Sequence, residues 1–287
     1  MLKHTAVFAV GLIALAITQT AQAIPNCTRK PGSTSEISPA GTRQFPLSGP
    51  CHTLAIAPPA GTPITGFMLI VAAGGWNSNP QAVRNFHNAH AQRFANDGFF
   101  TYTVEHTPGT GTALGPNSGH TGFNNLAQHY DELRAFVDTL PNGAAYPICA
   151  FGESSGGNFA LLLGVVKPGL NCIVTQGAPT DLRNVSDSMP AVVRQLAIDA
   201  FGVGNLPIYS PIAWADAGYL NNKVLLGHAL VDPLVGSKQA TDFCARRPAS
   251  AQCYVLDTRN GTAPFTHALV TPAALNTFRA MERAFTP

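Results

Sequence analysis

The chain reads as an α/β protein with a mostly parallel central sheet covered by helices on both faces. Short, near-continuous apolar runs recur along it, helical patterns separate them, and 287 residues suffice for one sizeable core. The strand-like runs are 52–57, 66–72, 99–105, 146–151, 171–176, 223–228 and 252–256. Helical patterns fall at 81–96, 123–140, 155–166, 191–201, 237–246 and 272–284. In such sheets the ligand crevice lies beyond the carboxyl ends of the strands, so functional residues are expected just after strand ends.

The first residues predict export. Lys3 supplies a positive start, residues 7–17 are apolar, and Ala21-Gln22-Ala23 forms an A-x-A cleavage pattern before Ile24. The apolar run is too short to span about 30 Å of hydrocarbon, so stable membrane insertion is not expected. Residues 1–23 are therefore read as a signal peptide and 24–287 as a single domain, secreted or periplasmic. The segment 178–219 interrupts the alternation with Pro179, Pro190, Pro207, Pro211 and one short helix. It is read as a small cap-like insertion over the crevice.

Seventeen Lys and Arg stand against 15 Asp and Glu, which leaves nothing to attract a polyanion, and nucleic acid is not an expected partner. Charged residues are 11% of the chain, where about 25% is usual, which suits a compact, loop-rich extracellular protein. All six cysteines lie beyond the signal, an even number that favours disulfides after export. Pairs that close local loops would be Cys27–Cys51, Cys149–Cys172 and Cys244–Cys253. The middle two cysteines sit on apolar runs, where buried free thiols are the alternative.

Residues 148–158 read as a strand, then Gly152-Glu153-Ser154-Ser155-Gly156, then a helix beginning Phe159-Ala160-Leu161-Leu162. A serine on a tight strand-to-helix turn projects its hydroxyl above the sheet, and glycines two residues either side remove clashes. The helix aims its positive end at a developing oxyanion. Ser154 is the candidate nucleophile; Ser155 falls outside the central position of the pentapeptide.

A serine needs a base oriented by an acid. Where a strand and helix flank G-x-S-x-G, the partners follow in the order serine, acid, histidine. Downstream of Ser154 stand His228 and His267. His228 precedes the best acid and ends a strand, whereas His267 lies in a loop between the last strand and the last helix. His267 is the candidate base. Asp232, just past a strand end, is the candidate acid, with Asp257 and Asp181 behind it; an Asx-turn is the structural alternative for Asp232.

The strand 66–72 runs into Gly74-Gly75-Trp76. Glycines let backbone N–H groups face a ligand, and acyl transfer needs about two such donors near 3 Å from the oxyanion. The N–H groups of Gly75, Gly74 and Ser155 suit that role. Trp76 and Trp214 are candidates for lining a substrate pocket. His87, His90, His106 and His120 have no acidic partner at fixed spacing, so neither a metal nor a cofactor is expected.

These stretches resemble α/β-hydrolase esterases of the hormone-sensitive-lipase-like and carboxylesterase type. Those families carry H-G-G-G-[FW], G-[DE]-S-A-G-G-N and D-P-L, matched here at Gly74-Gly75-Trp76, at residues 152–158 and at Asp232-Pro233-Leu234. The order agrees from about Gly66 to the C-terminus. Ala72-Ala73 replaces the His-Gly that opens the first motif, Val104-Glu105-His106-Thr107-Pro108 replaces Y-R-L-A-P-E, and the cap is short. The resemblance implies an α/β-hydrolase fold and cofactor-free hydrolysis of a small or polymeric carboxylic ester. A serine peptidase of the same fold and a non-catalytic binding protein are the rival readings.

Overall fold

The structure is a computed structural model that describes residues 36–37, 43–44, 53–73, 76, 80–104, 121–183, 189–229, 232–248, 252–258, 280, 282–283 and 285–286. The proposed signal peptide, Cys27, Cys51, Gly74, Gly75, His106, His120 and His267 lie outside the described residues.

The elements run β1 (Glu36–Ile37), β2 (Arg43–Gln44), β3 (Thr53–Ile56), β4 (Gly66–Val71), α1 (Pro80–Asn96), β5 (Phe99–Val104), α2 (Thr121–Asp138) and β6 (Ile148–Glu153). They continue with α3 (Ser155–Val166), β7 (Cys172–Gln176), α4 (Ala191–Phe201), α5 (Pro211–Asp216), β8 (Lys223–Ala229), α6 (Lys238–Ala245) and β9 (Cys253–Thr258). Strands β3 to β9 form one sheet in the order β3-β5-β4-β6-β7-β8-β9. The antiparallel pair β1–β2 stands outside it and was not expected from the sequence. Nor was α5, because Pro211 reads as a breaker. It occupies the first turn of the helix instead, where a missing N–H costs nothing.

The chain divides into two compact units. The first comprises Met1–Ile70, Asn79–Glu105 and Gln128–Ile148. Within it β3 pairs antiparallel with β5, from Thr53 opposite Val104 to Ile56 opposite Thr101. β5 is a run of aromatic and β-branched residues buried along its whole length, as a covered strand should be. Phe67 centres the packing, with ring centroids 5.7 Å from Phe100, 6.2 Å from Phe136 and 5.8 Å from Tyr146. His87 of α1 is buried here, its Nδ1 2.7 Å from the Thr103 hydroxyl. Desolvation lowers its pKa from 6.5 to about 4, so the ring is neutral near pH 7.

The second unit comprises Val71–Ser78, His106–Ala127 and Cys149–Pro287. Strands β6, β7, β8 and β9 run parallel, in register from Glu153 to Gln176 and from Gln176 to Gly227, so their carboxyl ends share one edge. Cys149 and Cys172 face each other across β6 and β7 and form a disulfide. Cys244–Cys253 joins α6 to β9. Both pairings are those expected. Helix α3 is buried from Ser155 to Val165 and apolar on every side, a core helix rather than an amphipathic one.

Candidate active site

The second unit carries the site. Ser154 follows β6 directly and is half-buried. Its backbone stands at φ 53 and ψ −126, a conformation non-glycine residues avoid. Two bonds hold it there: the Ser154 N–H donates to the Gln176 carbonyl at 2.9 Å, and its own carbonyl accepts from the Asn158 N–H at 3.1 Å. Crowding explains the flanking glycines. A Cβ at Gly152 would sit 2.3 Å from the Gly156 carbonyl oxygen, and one at Gly156 would sit 2.3 Å from that of Val71. Any side chain at either position would push apart the backbone that bends the serine outward. Ser155 begins α3 and is buried, so its N–H belongs to the first turn of that helix.

Asp232 lies three residues beyond β8 and is 8% exposed. Its Oδ1 accepts the N–H groups of Leu234 at 2.8 Å and Val235 at 2.9 Å, so the Asx-turn anticipated as an alternative is present. That turn fixes the carboxylate beyond the strand end and is compatible with a role for the other oxygen. His228, on β8, is 1% exposed, and its Nε2 lies 2.7 Å from the Val235 carbonyl and 3.9 Å from Asp232 Oδ2. A carbonyl only accepts, so Nε2 carries the proton and donates it. The ring thereby braces the loop bearing Asp232.

The other two acids are placed differently. Asp181 is held by Arg183, with Nε donating to Oδ1 at 2.8 Å and Nη2 to Oδ2 at 2.7 Å. Burial works to raise its pKa, but the hydrogen bonds and charge of Arg183 outweigh that and leave it below the ordinary value. Asp257 sits on β9 in register with His228. Asp232, unlike Asp257, stands in a loop past a parallel strand end, where its Oδ1 accepts two backbone N–H groups.

Serine and acid leave strands separated by one other, β7. Neighbouring strands lie about 4.8 Å apart, so the strand axes at Ser154 and Asp232 are roughly 10 Å apart. An imidazole hydrogen-bonded at both nitrogens can bridge side chains across such a gap. His267 follows the next strand, β9, and lies outside the described residues.

On the other side of the serine, Trp76 also has a positive φ, 65°, and is 2% exposed. Its indole Nε1 donates to Asn158 Oδ1 at 3.1 Å, and its ring meets Phe201 edge-on at 5.8 Å. Phe201 stacks on Tyr209 at 3.9 Å and meets Phe159 at 5.9 Å. Trp214 on α5 is half-buried, donates from Nε1 to the Ile208 carbonyl at 2.7 Å and touches Tyr219 edge-on at 5.7 Å. Asn158 is the residue to which sequence reasoning gave no task. Its signal was the final position of the G-G-N match, yet a motif letter does not reveal what the side chain touches.

Among the described residues no group of three His, Cys, Asp or Glu is placed to hold a metal ion, and no helix is long and apolar enough to cross a membrane.

No protein-family model matches the chain. No curated protein matches it by sequence. Solved structures do match in fold. Esterase 2 of Thermogutta terrifontis, phosphonylated by sarin, aligns at 14% identity and TM-score 0.59 over 88% of this chain and 93% of that one. A truncated carbohydrate esterase from gut microbiota aligns at 15% identity and TM-score 0.59, over 81% and 90%. The acylaminoacyl peptidase of Pyrococcus horikoshii aligns at 14% identity and TM-score 0.61 over 89% of this chain but 43% of its own length. The chain has the α/β-hydrolase fold.

Proposed function

We propose that the protein is an exported serine hydrolase that cleaves carboxylic esters through a Ser154, His267 and Asp232 triad. The observation that carries this reading is the strained backbone of Ser154 between β6 and α3, enforced by backbone crowding at Gly152 and Gly156. Strain of about 1–3 kcal/mol persists where the surrounding structure over-determines it, and it clusters at functional sites. Two disulfides support an oxidising compartment, in line with the proposed leader at 1–23.

In this mechanism His267 Nε2 takes the Ser154 proton as Oγ bonds to the acyl carbon. The carbonyl π pair moves to oxygen, where the N–H groups of Gly75, Gly74 and Ser155 stabilise it. As the ester C–O bond breaks, the imidazolium returns the proton to the leaving alcohol. Water, deprotonated by the same histidine, then releases the acid. Asp232 holds the ring in the tautomer that accepts at Nε2. Trp214, half-buried, is assigned to the pocket wall.

A peptidase reading is favoured by one observation, the fold match to acylaminoacyl peptidase. A fluorophosphonate probe should label the wild type at Ser154, and Ser154→Ala should abolish labelling and lower ester turnover by about ten-thousand-fold or more. Turnover of p-nitrophenyl acetate and butyrate should exceed that of peptide anilides. Preference for the anilides would transfer the site to the peptidase reading, and failure to label would remove the catalytic one.

A further inference from the structure

Asp232 is held in two stages, and His228 supplies the second. The first stage is local: Oδ1 accepts the N–H groups of Leu234 at 2.8 Å and Val235 at 2.9 Å, which orients the carboxylate within its own turn. Both bonds lie inside one loop and do not fix that loop to the sheet. The second stage does. His228 stands one residue before the end of β8, and its Nε2 donates to the Val235 carbonyl at 2.7 Å. Val235 is thus gripped at both of its backbone polar groups, by the acid through its N–H and by the strand through its carbonyl. The other link to β8 is longer: the Asp232 N–H reaches the Ala229 carbonyl at 3.2 Å.

Burial makes this tie matter. The side chains of His228 and Asp232 are both closed to solvent, and Val235 is buried beside them. A buried carbonyl deprived of its donor is costly, so without the imidazole the loop would gain by moving to satisfy it. The ring also leaves the carboxylate uncommitted to itself. Its Nε2 stands 3.9 Å from Asp232 Oδ2, too far for a hydrogen bond, and the Nε2 proton goes to Val235 instead. The histidine therefore places the acid without taking up its second oxygen.

We infer that His228 is a positioning residue that fixes the Asp232 carboxylate to the sheet through the Val235 carbonyl. The inference rests on the serine-hydrolase reading, in which Asp232 is the acid, and it gives a task to the histidine that chain order passed over as the base. Such an acid contributes through the placement and charge of its carboxylate. A loop displaced from β8 therefore costs transition-state stabilisation and leaves substrate binding almost unchanged.

The test compares two side chains of nearly equal length and volume. His228→Gln keeps an N–H donor near the place of Nε2, and His228→Met deletes it. Both are assayed on p-nitrophenyl butyrate, with active sites counted by fluorophosphonate titration so that misfolded protein does not enter kcat. His228→Gln should keep kcat within about threefold of wild type, and His228→Met should lower it about thirtyfold, short of the roughly hundredfold that a misplacement of about 1 Å can cost. KM should stay within about twofold in both. In the Asp232→Asn background the Gln and Met variants should have equal kcat, because His228 acts only through the carboxylate. Equal kcat in the two single variants, a difference confined to KM, or a difference that persists beside Asp232→Asn would each overturn the inference while leaving the triad standing. So would a His228→Gln that does not fold, since the retained donor should suffice. If only His228→Met fails to fold, His228→Asn takes its place: its amide is one carbon shorter and falls short of Val235, so kcat should drop by a similar factor, and wild-type kcat in it would overturn the inference. A wild type that resists the fluorophosphonate would bring down the serine-hydrolase reading and this inference with it.

Discussion

The turn after β6 and the turn after β8 leave parallel strands at one edge of the sheet, but different forces hold them. The first is held by backbone packed against backbone. Gly152 and Gly156 have no room for a methyl group, and Ser154 between them stands at φ 53 and ψ −126. The second is held by a side chain. Asp232 Oδ1 gathers two N–H groups, and buried His228 holds the Val235 carbonyl through Nε2. In the proposed mechanism steric crowding fixes the height at which the nucleophile is presented, and the donors on Oδ1 fix the orientation of the acid.

Substitutions can break each half of this contrast. Asp232→Asn retains an Oδ1 acceptor for Leu234 and Val235, so the loop should persist and Tm should change little. Loss of the charge should nevertheless lower kcat by about ten-thousand-fold, because the imidazole is left in the wrong tautomer. A variant that unfolds instead would show the carboxylate to be structural, and one that keeps full activity would pass the acid role to Asp257. The turn after β6 should fail differently. Gly156→Ala forces a Cβ against the carbonyl oxygens of Val71 and Ala72, at 2.3 and 2.7 Å, and should cost about 4 kcal/mol in denaturant unfolding. Gly204→Ala is the control: nothing lies within 4 Å and no positive φ is involved, so its effect should stay within about 0.5 kcal/mol.

The pH dependence of stability sharpens the contrast by separating folding from catalysis. His87 lies in the first unit and its folded pKa is about 4, against 6.5 for the unperturbed group. Between these values the unfolded chain binds the extra proton, so stability rises with pH through that window and is lost as pH falls from 6.5 towards 4. The full shift corresponds to about 3 kcal/mol. His87→Gln should flatten this limb of the stability profile in chemical denaturation while leaving the pH profile of kcat unchanged. A profile unaltered by the substitution would place the acid sensitivity elsewhere.

Much of this was legible in the sequence, and the reason is local. β6, the pentapeptide and α3 are consecutive, so their apolar run, glycines and helical pattern announce a strand, turn and helix within 19 residues, 148–166. The core strands were equally visible because strands covered on both faces are apolar throughout. Asp232 was singled out by its place after a strand, and it does lie three residues past β8. Helix α5 was missed because a proline looks the same whether it ends a helix or opens one.

Local chain chemistry therefore decided the strands, the long helices and the turn on which Ser154 stands, since each depends on neighbours a few residues apart. Packing decided the rest. Cys149 is joined to Cys172 because β6 and β7 lie side by side in register. Arg183 and Asp181 pair in the loop after β7. Trp76, 82 residues before Asn158, is tied to it inside the protein. Partners so distant in sequence meet only when the sheet has formed, and no periodicity or motif records where a buried amide will point.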